Sequence, residues 1–559
     1  MTDRIIDSRQ EIPQHKAATN SRGVLGAIVA TLAVTACGGG GSNGGFVLPS
    51  TAATSPSTGG GATESSPPAT SPVAAKGCDS AVGMKLDGAT VTQATSVPAG
   101  SYKPSAASPV SYTLPAFCKL QGVATPTSDS LINYEVWIPE SGWNGKVVVT
   151  GNGGYSPALS YGDMANALTK GYATVGGDTG HQSADGNDMT FGINHPEKII
   201  DWGTRSIHAI TLAAKPAIAQ VRGKVADRAY YQGCSTGGHQ GYAEVQRYPE
   251  DFDGVIAGAP GNNRTALNVG FMWQFLSNHA TNDNATPILT PAKARLITTA
   301  AVAACDGLDG ATDGVLSDPR RCTTAQFDVQ SLQCSGADAP TCLTAPQVTA
   351  VKKMYDGAKN PRTGEQIYPG WPVGSEGGWN AYWGTTEPTR ADFWRYWVFD
   401  NPQWNWWTFD FDRDMTYARA KVGPYVDQTN SDIAAFKGRG GKLIVYNGWA
   451  DPVVNPIDTI AYFDKVKALQ GSQTEVDKFA RLFLVPGMGH CGGGTGTSTF
   501  DVLTALDQWV DKGIAPDAIA ASRTTSGVVD RTRPLCAHPK EARYNGTGSV
   551  DDAASFTCS

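Results

Sequence analysis

Three polar residues that lie far apart in the sequence, Ser235, Asp451 and His490, have the residue types of a nucleophile, an acid and a base. Ser235 lies in GCSTG at residues 233–237, which fits the pattern G-x-S-x-G. The residues before it favour a strand, and residues 236–248 favour a helix. This pattern holds a serine on the sharp turn between a strand and a helix. A glycine-rich turn with an incidental serine has the same pattern, so the motif alone leaves both interpretations open.

Asp451 and His490 each follow a run of residues that favours a strand, late in the chain. Residues 442–446 precede Asp451, and residues 481–485 precede a glycine turn and His490. The order serine, acid, histidine is that of the triad in α/β-hydrolases. A loop aspartate often caps backbone and a lone histidine often packs, but the three together predict nucleophilic catalysis. Ser235 attacks a carbonyl carbon, the histidine accepts its proton, and the aspartate orients the imidazole.

Such a mechanism needs N–H groups that bind the oxyanion. The first turn of the helix after Ser235 offers the N–H of Thr236. The β-prone residues 146–150 run into a glycine-rich loop, and in α/β-hydrolases a loop after an early strand supplies the second donor. We therefore predict that Thr236 and either Gly153 or Gly154 form the oxyanion hole.

The elements that position these residues alternate between strands and a helix, which indicates an α/β fold with a mostly parallel, doubly wound sheet. The alternation stops between residues 261 and 440, where eight of the 14 tryptophans fall between Trp371 and Trp407. We interpret residues 261–440 as an inserted lid, in which the rings either form the core or line a cleft for an aromatic substrate. The remaining predicted strands are at residues 134–138, 146–150, 171–175 and 252–257, and a long helix is predicted at residues 201–221.

An acidic loop lies within this lid. Asp306, Asp309 and Asp313 are separated mainly by glycine and small residues, and such close carboxylates repel one another unless a hard cation lies between them. The loop is not an EF-hand, because Ser317 stands at the position of the closing glutamate. A calcium loop and a solvated turn both fit the pattern.

The N-terminal region has the composition of an export signal. Residues 23–36 form an apolar run that ends in a lipobox-like VTAC, which predicts lipidation of Cys37, although an ordinary signal peptide cleaved nearby fits as well. Gly, Ser, Thr, Pro and Ala dominate up to residue 75, as in a flexible tether. We predict an exported protein, an outer-membrane lipoprotein that is periplasmic or surface-facing, with membrane contact through the lipid alone. The formal charge of −7 argues against a nucleic-acid partner.

The cysteine count agrees with export. The sequence has 11 cysteines, and ten remain when the predicted lipidation site Cys37 is left out. An even number of cysteines in an exported protein favours disulfides over free thiols. The absence of a C-x-x-C motif disfavours zinc or redox sites, and the spacing does not fix the pairing. The ten residues are Cys78, Cys118, Cys234, Cys305, Cys322, Cys334, Cys342, Cys491, Cys536 and Cys558.

Two motifs together, GCSTGG at residues 233–238 and GMGHC at residues 487–491, resemble those of the tannase and feruloyl esterase family, which includes the mono(2-hydroxyethyl) terephthalate hydrolases. The resemblance extends from about Cys78 to the C-terminus. It implies an α/β-hydrolase fold with a large inserted lid, and a disulfide between Cys234 and Cys491. It also implies a structural calcium ion in the lid, bound by the side chains of Asp306, Asp309 and Asp313 and by the carbonyls of Ala311 and Val315.

The resemblance and the triad together predict a serine esterase that acts on small aromatic esters of the feruloyl, galloyl or terephthaloyl type through an acyl-enzyme. Three alternatives stay open: another α/β-hydrolase esterase or polyester depolymerase for aliphatic esters, a serine peptidase, and a non-catalytic calcium-binding surface lipoprotein. The predicted organisation is a signal peptide at 1–36, the lipidated cysteine and tether at 37–75, the hydrolase core at 76–260 and 441–559, and the lid at 261–440.

Overall fold

The structure is a computed structural model that describes residues 76–106, 108–183 and 185–559. The predicted signal peptide, the lipidation site Cys37 and the tether lie outside the described residues. Nineteen strands are present in the described part of the chain: β1 (Lys85–Leu86), β2 (Ala89–Val97), β3 (Gly100–Tyr102), β4 (Tyr112–Leu114), β5 (Phe117–Ala124), β6 (Ile132–Pro139), β7 (Lys146–Thr150), β8 (Ala173–Gly177), β9 (Arg228–Cys234), β10 (Gly254–Gly258), β11 (Ala358–Lys359), β12 (Gln366–Tyr368), β13 (Lys442–Gly448), β14 (Ala480–Val485), β15 (Thr499–Phe500), β16 (Ala518–Thr525), β17 (Val528–Cys536), β18 (Ala542–Tyr544) and β19 (Phe556–Cys558).

Helices connect and cover these strands. The α-helices in the same residues are α1 (Tyr161–Thr169), α2 (Pro196–Ile200), α3 (Ser206–Arg222), α4 (Thr236–Arg247), α5 (Arg264–Asn278), α6 (Pro291–Cys305), α7 (Ala345–Asp356), α8 (Arg413–Lys421), α9 (Gly423–Val426), α10 (Ala434–Gly438), α11 (Pro456–Gln470), α12 (Gln473–Asp477) and α13 (Val502–Lys512). Short 3₁₀ segments lie at Cys78–Ala81, Thr190–Gly192, Asp306–Asp309, Pro319–Arg321, Val329–Leu332, Glu376–Ala381, Trp406–Thr408 and Ala553–Ser555, and π segments lie at Asp201–Arg205 and Phe393–Val398.

The core is a sheet of ten strands in the order β1-β2-β5-β6-β8-β7-β9-β10-β13-β14. The six strands from β8 to β14 in this order run parallel. They are apolar runs such as Val147, Val148 and Val149, all buried, as expected for strands that are covered on both faces. The carboxyl ends of parallel strands meet at one edge of a sheet, and the loops that follow β7, β9, β13 and β14 carry the predicted site residues.

The other four strands form an antiparallel extension, of which the sequence predicted only β6, at residues 134–138, and not its antiparallel pairing. Strand β2 reads ATVTQATSV and is buried at only two of its nine positions. A strand that is rich in Thr and Ser and largely exposed lacks the continuous apolar run that marked the parallel strands. A disulfide between Cys78 and Cys118 fixes the chain before β1 to strand β5.

Most predicted elements differ by a few residues from their boundaries in the structure, and for two of them a glycine gives the physical reason. The strand expected at residues 171–175 is β8, which begins at Ala173, because Gly171 has φ +84° and donates its N–H to Leu168 O at the end of α1. The helix expected at residues 201–221 begins as a π segment, where Gly203 packs so closely that a Cβ would lie 2.3 Å from Tyr425 O.

Residues 261–440 contribute no strand to the ten-stranded sheet in the described part of the chain. They form helices α5 to α10 and the pair β11–β12. Of the eight tryptophans between Trp371 and Trp407, seven are buried in one apolar cluster, and Trp407 packs against it. Within the described residues, none of these eight tryptophans lines the cavity that contains Ser235. Their rings therefore build the core of the lid.

Candidate active site

Ser235 lies on the turn between β9 and α4, with φ 65° and ψ −116°. This conformation is strained for a residue other than glycine, and surrounding contacts must hold it. Ser235 donates its N–H to Gly258 O at 2.9 Å, and its carbonyl accepts from His239 N at 3.0 Å. The predicted strand–turn–helix context is therefore present, and the turn is fixed on both sides.

Glycines around this turn are required by close packing. A Cβ on Gly233 would lie 2.7 Å from Gly237 Cα, and a Cβ on Gly238 would lie 2.2 Å from Gly258 O. Contacts this short force the backbone apart, so the helix after Ser235 reaches the sheet only because these positions lack side chains.

The Asp451 carboxylate is fully buried and contacts His490 directly. Its Oδ2 lies 2.8 Å from His490 Nδ1, while its Oδ1 accepts the N–H groups of Val453 at 2.8 Å and Val454 at 3.0 Å. Asn447 Nδ2 lies 3.4 Å from Oδ2. These contacts fix the carboxylate, which in turn orients the imidazole so that Nε2 is its free nitrogen.

Ser235 and His490 line one cavity of 360 Å³. In the described residues, no hydrogen bond joins Ser235 Oγ to the imidazole, and such bonds are often long in enzymes without substrate. The cavity also contains the loop at residues 151–154, together with Tyr382 and Arg390 from the lid. The structure thus brings the sequence-predicted serine, histidine and glycine loop together.

The disulfide implied by the resemblance is present and lies beside both residues. Cys234 and Cys491 are bonded with a Cα–Cα distance of 6.0 Å across 257 positions of sequence. It therefore links the backbone next to Ser235 to the backbone next to His490. The ten cysteines all pair, and the other disulfides are Cys78–Cys118, Cys305–Cys322, Cys334–Cys342 and Cys536–Cys558.

Two of the N–H groups in the loop at residues 151–154 already donate hydrogen bonds within the protein, which narrows the choice of oxyanion donor to the other two. Gly151 N donates to Gln232 O at 2.9 Å, and Asn152 N donates to Gln240 Oε1 at 3.0 Å. Within the described residues, the N–H groups of Gly153 and Gly154 have no such acceptor. Both glycines therefore stay candidates beside Thr236, whose N–H is at the start of α4.

Arg390 is a residue of the cavity that sequence reasoning missed. Its guanidinium lies 5.2 Å from the Tyr155 and Phe271 ring centroids and 5.5 Å from that of Tyr382. A Cβ on Gly154 would lie 3.7 Å from Arg390 Nη2, which places the guanidinium against the loop at residues 151–154. No motif surrounds this arginine in the sequence, and only the folding of the lid onto the core brings it to the site.

In the acidic loop of the lid, the carboxylates of Asp306 and Asp309 are not free but accept hydrogen bonds from backbone N–H groups. Asp306 accepts the N–H groups of Gly314 at 2.9 Å and Val315 at 3.1 Å, and Asp309 accepts that of Ala311 at 2.9 Å. Both carboxylates thereby stabilise the conformation of the loop to which they belong, through hydrogen bonds to its backbone.

Asp313 lies against Arg533 and Arg531 of strand β17. Burial raises the pKa of Asp313, with Asp306 and Asp309 adding to the rise and the two arginines opposing it. The loop has the oxygen donors that calcium prefers. Across the described residues, however, no group of three or more His, Cys, Asp or Glu side chains is arranged to hold a metal ion. Calcium therefore stays a prediction.

Among the described residues, no helix has the length and apolar character needed to span a bilayer. The predicted lipid anchor at Cys37 lies outside them.

The sheet order, the turn that carries Ser235, and the late aspartate and histidine define an α/β-hydrolase. Residues 118–559 match the family model described as tannase and feruloyl esterase, and the chain belongs to that family. It is therefore a carboxylic ester hydrolase.

Individual relatives agree with this assignment. The chain is 36% identical to an uncharacterized esterase of Xanthomonas campestris over 88% of this chain and 92% of the relative. It is 34% identical to a mono(2-hydroxyethyl) terephthalate hydrolase of Piscinibacter sakaiensis over 80% of this chain and 85% of that one. The crystal structure of feruloyl esterase B from Aspergillus oryzae superposes with a TM-score of 0.78 at 31% identity, covering 85% of this chain and 98% of that one.

Proposed function

We propose that this protein hydrolyses esters of aromatic carboxylic acids through a serine acyl-enzyme. The observation that carries the proposal is the 2.8 Å contact between His490 Nδ1 and the buried Asp451 Oδ2, together with the cavity that His490 and Ser235 both line. An oriented imidazole beside a serine on a strained turn is the arrangement that activates a hydroxyl for acyl transfer.

In the first half of the reaction, Ser235 Oγ attacks the ester carbonyl while His490 Nε2 takes the hydroxyl proton. The negative oxygen is bound by the N–H groups of Thr236 and of Gly153 or Gly154, each worth about 3 kcal/mol in the transition state. The bond to the alcohol oxygen then breaks, and His490 returns the proton to that oxygen. The acyl group stays on Ser235.

In the second half, water replaces the alcohol. His490 removes a proton from the water as its oxygen attacks the acyl carbonyl, and the same N–H groups bind the oxyanion. Collapse of this intermediate breaks the bond to Ser235, which recovers its proton from His490. The products are the free acid and the alcohol, and the enzyme returns to its initial state.

Aromatic acids are supported by the walls of the cavity and by the relatives. Tyr382 and Arg390 line the cavity, and a flat acyl group can pack favourably against an aromatic ring or a guanidinium. A feruloyl esterase and a mono(2-hydroxyethyl) terephthalate hydrolase are among the relatives. The choice among feruloyl, galloyl and terephthaloyl groups is left to measurement.

The test is a panel of feruloyl, galloyl, terephthaloyl and aliphatic esters with the same alcohol. We expect higher kcat/KM for aromatic acids, and a loss of several orders of magnitude in turnover in both Ser235→Ala and His490→Ala with the fold retained. Near-normal turnover by Ser235→Ala would contradict the mechanism. A preference for aliphatic acids would favour the depolymerase alternative.

We further propose that the loop at residues 306–315 binds a structural calcium ion. Asp306, Asp309 and Asp313 would hold it with the carbonyls of Ala311 and Val315, a set of hard oxygen donors. The support is this donor chemistry and the family resemblance. Because none of these residues takes part in the steps above, the ion would supply stability and not chemistry.

We also propose that the protein is exported and anchored through a lipid on Cys37. The support is the apolar run at residues 23–36 and the VTAC that ends it. The residue after the cysteine is Gly38, not an aspartate that would favour the inner membrane, so the proposed destination is the outer membrane.

A further inference from the structure

His490 lines a second cavity of 380 Å³. Among the described residues, its walls include neither Ser235 nor the loop at residues 151–154, so His490 is the one triad residue that the two cavities share. The volume falls within the range of about 300–1,000 Å³ that holds small ligands.

The walls of this second cavity are apolar. Val302 of helix α6, Leu316, Val373, Trp449 and Pro452 supply side chains, and three of these, Val302, Val373 and Pro452, are only partly buried. Glycines occupy much of the remaining wall, and at Gly314 and Gly377 a Cβ would meet no atom closer than 3.5 Å, so space is left beside the side chains there.

Two of the polar side chains in the wall are already satisfied within the protein. Thr298 Oγ1 lies 2.8 Å from Glu376 Oε2, and Ser375 Oγ donates to Pro372 O at 2.6 Å. A ligand here therefore gains mainly from burial of apolar surface, and a strongly polar ligand would lose hydration with few new hydrogen bonds.

The reaction requires different contacts for the acyl part and for the alcohol part of the ester, and each cavity provides one set of these contacts. The carbonyl oxygen must meet the N–H groups of Thr236 and of Gly153 or Gly154, and the first cavity contains the loop with both glycines. The alcohol oxygen must meet His490, which gives it a proton as it leaves. The second cavity adjoins His490 without the oxyanion loop, which suits the part of the substrate beyond the alcohol oxygen.

We propose that the second cavity is the leaving-group subsite, and that the enzyme selects aromatic esters whose alcohol has an apolar body of several carbon atoms over the corresponding methyl esters. This inference rests on the proposed function, because it uses the proton that His490 delivers to the alcohol. It adds the chemical class of the alcohol, which the acyl cavity does not determine.

The test compares kcat/KM for methyl, butyl and hexyl esters of one aromatic acid. Burial of each added methylene is worth about fourfold, so the butyl ester should exceed the methyl ester by at least about tenfold. Val302→Phe and Val373→Phe both fill the cavity and should each remove most of the excess of butyl-ester over methyl-ester kcat/KM. Val528→Phe is the matched control, because Val528 is 67% exposed and lines neither cavity.

The melting temperature of each variant shows whether it folds. Phe is introduced at two separate positions, so the comparison can still be made if one of the two variants does not fold. Equal kcat/KM for methyl and butyl esters in the unaltered protein would overturn the subsite. So would Phe variants that lose methyl and butyl turnover equally, or that respond to the size of the acid instead of the alcohol. A folded protein with no turnover of any ester would instead overturn the proposed function.

Discussion

At the scale of single residues, Asp451 shows how much of the site depends on one buried carboxylate. Its two oxygens are divided between backbone N–H groups and His490, so that the imidazole has a fixed orientation and tautomer. An amide in the same place keeps the shape and loses the charge. The role of Asp451 is therefore testable separately from folding.

We expect Asp451→Asn to lower kcat by about 10⁴-fold, because the amide favours the wrong imidazole tautomer and cannot stabilise the imidazolium. Steady-state kinetics on one aromatic ester measure the effect, and a thermal melt reports folding. The matched control is Asp87→Asn, which makes the same chemical change at an exposed position between β1 and β2. If Asp451→Asn retained kcat within about tenfold, the triad assignment would fail.

At the scale of elements, the disulfide Cys234–Cys491 joins the turn after β9 to the loop after β14. Replacing both cysteines by Ala frees these loops to move relative to each other, and a misplacement of about 1 Å can cost about 100-fold in rate. We expect kcat to fall more than KM rises. Cys78→Ala with Cys118→Ala is the matched control, which should lower stability and leave kcat unchanged.

This prediction would be contradicted by a Cys234→Ala, Cys491→Ala protein that turns over substrate like the parent. Peptide mapping of the unreduced protein gives an independent check, because it should recover the two cysteines in one linked peptide pair. Finding either cysteine free, or bonded elsewhere, would remove the constraint that holds the two loops together.

The acidic loop at residues 306–315 is a second element whose role can be measured. Chelation should lower the melting temperature, because removal of a calcium ion that binds only the folded loop destabilises the folded state. Asp309→Ala should have a similar effect and should make the melt insensitive to further chelator. A protein shown to have lost its metal without any thermal shift would refute a structural calcium ion.

At the scale of the whole molecule, the proposed lipid on Cys37 determines where the enzyme acts. Cys37→Ser should release the protein from the membrane fraction without changing its specific activity, because neither the proposed anchor nor the predicted tether takes part in the proposed reaction. Fractionation followed by an ester assay measures both quantities. If the variant stayed with the membranes, the lipid anchor would be wrong.

Much of the fold follows from the sequence because its parallel strands are continuous apolar runs with glycine turns behind them. Strand β7 at Lys146–Thr150 has the predicted limits, and the helix after Ser235 ends at Arg247, one residue from its predicted end. Strand β2 was not anticipated, because its exposed Thr and Ser residues do not alternate clearly.

The site was predictable to the extent that its residues occur in short motifs. Ser235 and His490 each lie among glycines that restrict what the loop can do, and their order along the chain identifies the fold. Arg390 and the walls of the second cavity come from separate segments that meet only after the lid packs against the core. No local pattern marks such residues, because long-range packing creates their neighbourhood.

The central claim is that Ser235 forms a covalent acyl-enzyme, and the most direct measurement is active-site labelling. The purified protein is incubated with an organophosphorus fluoridate, and the adduct is located by peptide mass spectrometry. We expect a single adduct on Ser235 that appears as esterase activity disappears, and no adduct in Ser235→Ala. Full esterase activity with Ser235 unmodified at saturating reagent, or inactivation with the adduct on another residue, would contradict the account.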